Sequence, residues 1–448
     1  MRESVRKPTK EQTKILAEAV SYLSNSRHST LLLEGSAGTG KTTLIGWIVE
    51  ALQSELKETT GKNYKALMTA PTNKAVEVLR EKGAICQAIY SDYCTLHSAL
   101  CLRYTIDEKS GEEVFAPDKS NREIRLTGTT ILVVDEASMI GAELLQYVEQ
   151  QIEKKPHLKV IFIGDIKQLP PVNEETSPIF TKGYHRLSLK EIIRQAAENP
   201  IIPLSNDIYQ LNNFKDHINA EGLGYTFTKD RSAIIRHFVK HRDDLGVRYL
   251  GYTNACVNAF NEEVRREIFH HPNKIEMGET IIFDRPFEVI ELDDLGDPYK
   301  YIYTNNQEVL VEQIEVRDEE ISFPSNKDGG KQKLRLKYYW VNESFPILHS
   351  DSEYLFADLL ETLRRKAINR DFFWRDLYLV RDHFVAFKHR YALTVHKAQG
   401  STYREVFLDY DDMMRNRKIP EREKMLYTAV TRASQNLTIW TSRLRDGR

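Results

Sequence analysis

The feature that most constrains this chain is an uninterrupted strand, glycine-rich loop and helix. Residues 35 to 42 read Gly35-Ser36-Ala37-Gly38-Thr39-Gly40-Lys41-Thr42. The apolar run Thr30 to Leu33 precedes them, and Thr43 and a helix-compatible stretch from Leu44 to Leu56 follow. Glycines at this spacing let consecutive backbone N–H groups turn inward around a polyphosphate, and the new helix aims its positive end at the same charge. In that setting Lys41 reaches the β- and γ-phosphates and the Thr42 hydroxyl is a ligand for Mg²⁺. The chain is therefore expected to bind a nucleoside triphosphate.

The pattern recurs. Apolar runs at Ala66 to Ala70, Thr130 to Val134 and Lys159 to Ile163 are each followed by a loop and a helix candidate. Such alternation predicts an α/β fold, a parallel sheet with helices on both faces and ligand loops at the strand C-termini. Leu100 to Ile106 and Glu112 to Phe115, joined by Asp107-Glu108-Lys109-Ser110-Gly111, read as a β-hairpin inserted in this first domain. A second α/β pattern begins near Val247 to Tyr252 with a helix over Ala255 to Phe269, breaks off near Met277 and resumes at Tyr391. Between them, residues 278 to 375 are rich in β-branched and aromatic residues, with turn signals at Asn305-Asn306 and Asp328-Gly329-Gly330. They predict a β-barrel-type insertion carrying a helical segment over Asp351 to Asn369.

Two further groups carry chemistry. Ile131-Leu132-Val133-Val134-Asp135-Glu136 is a buried-strand run ending in two carboxylates. Asp135 is placed to hold Mg²⁺, and Glu136 to orient and deprotonate an attacking water. Ile161-Phe162-Ile163-Gly164-Asp165 with Gln168 sets an amide within reach of a γ-phosphate, although Gly-Asp and Pro170-Pro171 also suit a plain turn. The net charge of −2 gives no global basic field, so any nucleic-acid contact must come from local grooves. Basic clusters such as Lys331-Lys333-Arg335-Lys337 and Arg364-Arg365-Lys366 read alone as solvated faces. Four cysteines without a C-x-x-C spacing suggest reduced thiols in the cytoplasm, and no apolar run approaches the ~18 residues of a membrane span.

In this order the motifs resemble those of superfamily 1 helicases, in the 5′→3′ branch typified by RecD, Pif1 and Dda. Gln12 matches the family's adenine-reading residue, which makes the triphosphate ATP. Thr69-Ala70-Pro71-Thr72-Asn73-Lys74-Ala75 and Thr95-Leu96-His97-Ser98 match motifs that contact the DNA backbone. Gln168 sits where the family couples γ-phosphate state to DNA contacts. Arg194 matches a phosphate-sensing arginine, and Arg432, in Leu426-Tyr427-Thr428-Ala429-Val430-Thr431-Arg432-Ala433, matches the arginine finger. Tyr391 to Gly400 is similar to the motif that bridges DNA and nucleotide.

The resemblance implies two RecA-like P-loop NTPase domains: a first, ATP-binding one from 1–95 and 127–215, and a second from 216–276 and 376–448. It implies a β-hairpin pin over 96–126 and an SH3-like module over 277–375. Lys41, Asp135, Glu136, Gln168, Arg194 and Arg432 are then catalytic, and Gln12 with Gly35 to Thr43 binds ATP. Pro71, Thr72, Asn73, His97, Thr394, His396 and Gln399 line a DNA track. Leu169-Pro170-Pro171-Val172 follows Gln168 where 3′→5′ enzymes carry a stacking aromatic, so the track leans on the phosphate backbone. Phe115 is a candidate for strand separation at the fork, with packing inside the hairpin as the alternative. The expected partners are single-stranded DNA and forks, with a single-strand-binding protein as a candidate and no membrane. A monomer is expected, since two motor lobes in one chain make a complete cleft. An RNA-directed motor and an ATP-gated clamp without translocation are the alternatives.

Overall fold

A computed structural model describes residues 7–83, 91–118, 126–193, 198–292 and 297–444. The chain divides into two compact units. One joins Met1–Leu102, Pro117–Val257 and Ala392–Arg448; the other joins Arg103–Ala116 with Asn258–Tyr391.

The first unit contains two six-stranded sheets. In one, the strands run in the order Ser91–Thr95, Lys65–Ala70, Thr129–Val134, Lys159–Gly164, Thr30–Gly35, His185–Leu189, all parallel. Its central strands are continuous apolar runs because both faces are covered, and Leu31, Leu33, Val133, Ile161 and Ile163 are fully buried with the helix Lys41–Thr60 against them. Glu34 lies opposite both Gly164 and Ser188, so the loops after Gly35 and Gly164 emerge side by side.

Two sequence expectations are corrected here. No α-helix follows Lys159–Gly164; a single 3₁₀ turn, Pro178–Phe180, leads to the strand His185–Leu189. Pro170, Pro171 and Pro178 each remove a backbone donor, which disfavours helix there. His185–Leu189 and Ser91–Thr95 are also strands that a search for apolar runs passes over, because they lie at the sheet edges and bury alternate residues at most.

The second sheet has the order Ala392–Thr394, Val247–Gly251, Tyr403–Asp409, Ala433–Trp440, Gly224–Thr228, His217–Ile218, with only the last strand antiparallel. It thus starts about one strand-helix unit earlier than the expected Val247. Gly224–Thr228 and the helix Arg231–Lys240, capped by Asp230, precede that strand. The helix Ile419–Val430 packs between strands Tyr403–Asp409 and Ala433–Trp440 in sequence, and its last six residues are all buried.

The second unit is antiparallel. Ile314–Pro324 and Lys331–Val341 form a long hairpin extended by Phe345–Leu348, and Thr280–Phe283 pairs with Glu308–Leu310 and Phe387–His389. Phe283 stacks on Tyr303 at 4.7 Å, with Phe345 edge-on to both. Beneath them Arg265 and Glu279 form a buried ion pair at 2.9 Å, joined by His389 at 3.3 Å. The helices Glu353–Ile368 and Trp374–Arg381 complete this unit.

The hairpin Leu102–Ile106/Glu113–Pro117 is clasped to the second of these helices. The Glu108 carboxylate accepts from the first helical amides, Trp374 N at 2.9 Å and Arg375 N at 2.8 Å. Tyr378 donates to the Gly111 carbonyl at 2.8 Å, and Arg381 pairs with Glu113 at 2.7 Å. Gly111 has φ +75°, and a Cβ there would sit 2.5 Å from Trp374 Cε2, so only glycine fits the turn.

The basic clusters prove to be charge-compensated. Lys333 pairs with Glu320, Arg335 with Asp318 and Lys337 with Asp351, all below 3 Å, and Arg364 and Arg365 both reach Glu361. They are solvated faces with their own counter-charges, as the plain reading of those clusters has it.

Candidate nucleotide and nucleic-acid site

The phosphate loop leaves its strand at Gly35 and enters the helix at Lys41, with Gly38 and Gly40 left-handed at φ +80° and +77°. A Cβ on Gly40 would lie 2.4 Å from Ile193 Cδ1 and 2.8 Å from Gln12 Nε2. Lys41 Nζ donates to the carbonyls of Gly35, at 2.6 Å, and Ser36, at 3.0 Å, inside the curl of the loop. Thr39 donates its hydroxyl to Ser36 O at 2.9 Å.

Gln12 is buried beside the loop. Its Oε1 accepts from Thr9 N at 3.0 Å in a capping box that starts the helix Lys10–Ser24, and its Nε2 donates to Thr39 O at 3.3 Å. Among the described residues, its second amide proton has no acceptor.

Asp135 and Glu136 end the strand Thr129–Val134 in the same sheet. Asp135 N donates to Thr69 O on the neighbouring strand at 2.8 Å, and Asp135 Oδ1 accepts from Glu136 N at 2.8 Å. Glu136 itself is left-handed at φ 51°, a conformation rare for a residue with a side chain and one that clusters at functional sites. Gln168 is buried, and among the described residues its Oε1 has no hydrogen-bond partner. A buried acceptor left so calls for a donor from water or ligand.

Elements of the second sheet reach these loops. Leu169 N donates to Thr428 Oγ1 and Gln399 Nε2 donates to Leu169 O, both at 3.0 Å, while the Tyr427 hydroxyl bonds Ala37 N at 3.0 Å and the Asp165 carboxylate. Gly400, at φ +78°, lies close enough that a Cβ would be 3.4 Å from Thr72 Oγ1 and 3.3 Å from Ala75 Cβ.

Arg432 is buried and turned inward. Its guanidinium donates to Thr428 O, Ser401 O and Thr431 Oγ1 at 3.1, 2.9 and 3.2 Å, all on segments attached to the second sheet. Arg194 lies outside the described residues.

The expected track residues fall at strand C-termini. Pro71, Thr72 and Asn73 link Lys65–Ala70 to the helix Asn73–Gly83, and Thr72 Oγ1 accepts from Ala75 N at 3.2 Å. His97 and His396 lie on two short helices of the same design. Thr95 caps Leu96–Ala99 through Ser98 N at 3.2 Å, and Thr394 caps Val395–Ala398 through Lys397 N at 3.4 Å. Burial lowers the pKa of both imidazoles. Gln399 is buried, with its amide on Leu169 rather than at an open face. Phe115 packs edge-on to Tyr104 at 4.9 Å within the hairpin, and Tyr104 is the more exposed ring at 58%.

Sequence reasoning assigned no role to Tyr427 and Thr428. Two successive hydroxyl side chains in an otherwise apolar helical stretch are the signal that finds them, because buried hydroxyls need partners.

Residues 10–210 match the family model described as an AAA domain, and residues 389–440 match a UvrD-like helicase C-terminal domain. The ATP-dependent DNA helicase Dda of Enterobacteria phage T4 is 30% identical over 89% of this chain and 92% of its own length. The RecBCD enzyme subunit RecD of Buchnera aphidicola (subsp. Schizaphis graminum) is 24% identical over 93% of this chain and 71% of its own. The ATP-dependent DNA helicase Pif1 of Campylobacter jejuni is 21% identical over 92% and 88%. Among the described residues, no helix is long and apolar enough to cross a membrane. With its phosphate loop, strand-end carboxylates and these relatives, the chain belongs to the superfamily 1 helicases of the Pif1, RecD and Dda type and is an ATP-dependent DNA helicase.

Proposed function

We propose that this enzyme translocates 5′→3′ on single-stranded DNA and unwinds duplex, driven by Mg-ATP turnover between two RecA-like lobes. The lobes are residues 1–95 with 127–215 and 216–276 with 376–448; 96–126 is the pin and 277–375 the SH3-like module. One observation carries the reading. The second sheet's helix Ile419–Val430 and Gln399 hydrogen-bond to the loop that leaves the first sheet beside the phosphate loop. A ligand in that loop therefore acts on both sheets at once.

The donor set suits Mg²⁺: the Thr42 hydroxyl and the Asp135 carboxylate are hard oxygens that follow the C-terminal ends of two strands of one parallel sheet, Thr30–Gly35 and Thr129–Val134, with Lys159–Gly164 between them. When bound, the ion supplies charge neutralisation to the phosphates. Lys41 leaves its loop carbonyls to bind the β- and γ-phosphates, and the spare amide proton of Gln12 reads the adenine. Glu136 takes the proton of the attacking water, and Gln168 Oε1 accepts from that water and holds its orientation. Arg432, released from Thr428 and Ser401 as the lobes close, meets the charge that spreads over the transferring phosphoryl group, and Arg194 assists it. Closure and reopening move the track residues Pro71, Thr72, Asn73 and His97 against Thr394 and His396, and Gln399 passes the movement to the loop at Leu169. The 5′→3′ direction rests on likeness to Dda, RecD and Pif1 and on Leu169-Pro170-Pro171-Val172, which offers no aromatic to stack on a base.

Forked duplexes with a 5′ or a 3′ single-stranded arm test this. The 5′ arm alone should support unwinding, and Lys41→Ala should lower strand-stimulated ATPase about 100-fold or more. Unwinding from the 3′ arm alone would reverse the direction; unwinding by Lys41→Ala at the normal rate would remove the mechanism.

A further inference from the structure

One buried phenol stands between the two sheets. Tyr427 is 3% exposed, and its hydroxyl accepts from Ala37 N at 3.0 Å while donating to Asp165 Oδ2. Ala37 is the third residue of the phosphate loop. Asp165 follows the strand Lys159–Gly164, and its other oxygen accepts from Lys167 N at 3.1 Å. The adjacent residue, Thr428, accepts from Leu169 N at 3.0 Å, so two consecutive side chains of one helix staple residues 165 to 169. Arg432 hangs from the end of that helix, with its Nε on Thr428 O at 3.1 Å.

We propose that Tyr427 is a positioning residue that couples the phosphate loop to the placement of Arg432, by holding the Ala37 N–H and the Asp165 carboxylate together. The proposal deepens the function proposed above and rests on its reading of Arg432. A phenol has one proton, and here it goes to a carboxylate, the stronger acceptor. Toward the loop the hydroxyl can only accept. A phosphate oxygen arriving there accepts from the Ala37 N–H more strongly than a neutral hydroxyl does. Transfer of that N–H weakens the hold of the phosphate loop on Tyr427, whose remaining partners are Asp165 and the Ser36 hydroxyl, and the helix end that carries Arg432 becomes freer to re-aim. The phosphate loop and the arginine thus share one two-state contact that nucleotide biases. Burial, with the negative charge of Asp165, holds the phenol protonated well above its usual pKa, so it acts as a hydrogen-bond group throughout the working pH range.

Tyr427→Phe keeps the ring and removes only the bridge. Tyr427→Phe, Asp165→Ala and the double variant are compared with the unmodified protein in steady-state ATPase assays at saturating single-stranded DNA. Tyr427→Phe should lower kcat about tenfold or more and change KM for ATP by less than about threefold, as loss of a transition-state placement does. Asp165→Ala, which removes the acceptor where Asp165→Asn only weakens it, should do the same, and its combination with Tyr427→Phe should be no worse than either, since both remove one contact. Asp165→Ala carries the test if Tyr427→Phe does not fold.

A raised KM with unchanged kcat would make Tyr427 a simple nucleotide contact and overturn the proposal. So would losses that multiply in the double variant, or a variant as active as the parent. Absence of strand-stimulated turnover in the unmodified protein would instead overturn the function proposed above and leave the Tyr427 contact aside.

Discussion

Replacing Glu108 by alanine isolates the clasp between the hairpin and the helix Trp374–Arg381. The carboxylate accepts the Trp374 and Arg375 amides at 2.9 and 2.8 Å, at a helix start where Phe373 provides no side-chain cap. Those amides have no acceptor within the helix, and the carboxylate also answers the positive end of the helix dipole. Losing such a cap costs about 1–2 kcal/mol. That shifts the balance between clasped and loosened hairpin by a factor of about 5–30. The Tyr378 and Arg381 contacts remain, so the hairpin loosens without unfolding. Amide exchange at Trp374 and Arg375 should quicken by that same factor of about 5–30. On the function proposed above, the hairpin is the pin and must hold its place at the fork, so unwinding rate should fall several-fold while single-strand-stimulated ATPase stays within about twofold, because the cap touches no part of the nucleotide site. Unchanged exchange at the two amides would refute the capping argument. ATPase falling in step with unwinding would refute the separation of pin from engine.

Glu136→Gln keeps the shape of the strand end but removes the base, so turnover should fall about 10²- to 10⁴-fold while ATP binding by equilibrium titration persists. In the second unit, burial works against charge on Glu279, but His389 and Arg265 outweigh it and hold the carboxyl below its usual 4.5. Because the folded value is the lower one, this stabilisation is complete above about pH 4.5 and drains away as pH falls through the folded value. Glu279→Gln should therefore show a smaller acid-induced loss of stability than the parent over that window in denaturant titrations, and an equal loss would contradict the assignment. Glu279→Ala, which leaves the Arg265 guanidinium buried without its carboxylate, should cost about 3–5 kcal/mol at neutral pH.

Much of the engine was legible because its constraints are local. A phosphate loop needs glycine at fixed spacing, and buried parallel strands need unbroken apolar runs. Lys41, Asp135 and Glu136 could therefore be placed by counting. The strand His185–Leu189 could not, because an edge strand buries only alternate residues and its signal dissolves among prolines and polar neighbours. Tyr427 lay inside a quoted motif yet had no visible task, since its partners Ala37 and Asp165 lie 390 and 262 residues away in sequence. Resemblance supplied Arg432 as a finger, but only the fold shows it turned back on Thr428 and Ser401. The basic clusters read rightly as solvated faces, but their counter-charges, such as Glu320 and Asp318 across the strand from Lys333 and Arg335, appear only in the fold.

The two short capped turns have a consequence of their own. Thr95-Leu96-His97-Ser98-Ala99 and Thr394-Val395-His396-Lys397-Ala398 are one small capped turn made twice, once beside each sheet. If both turns grip the strand as proposed, a thread with a constant repeat is met by matching feet, and stepping requires only that they let go in turn. Burial lowers the pKa of both imidazoles and so favours their uncharged form, which on that reading makes the grip less sensitive to modest changes in acidity. Gait is left to the fuel.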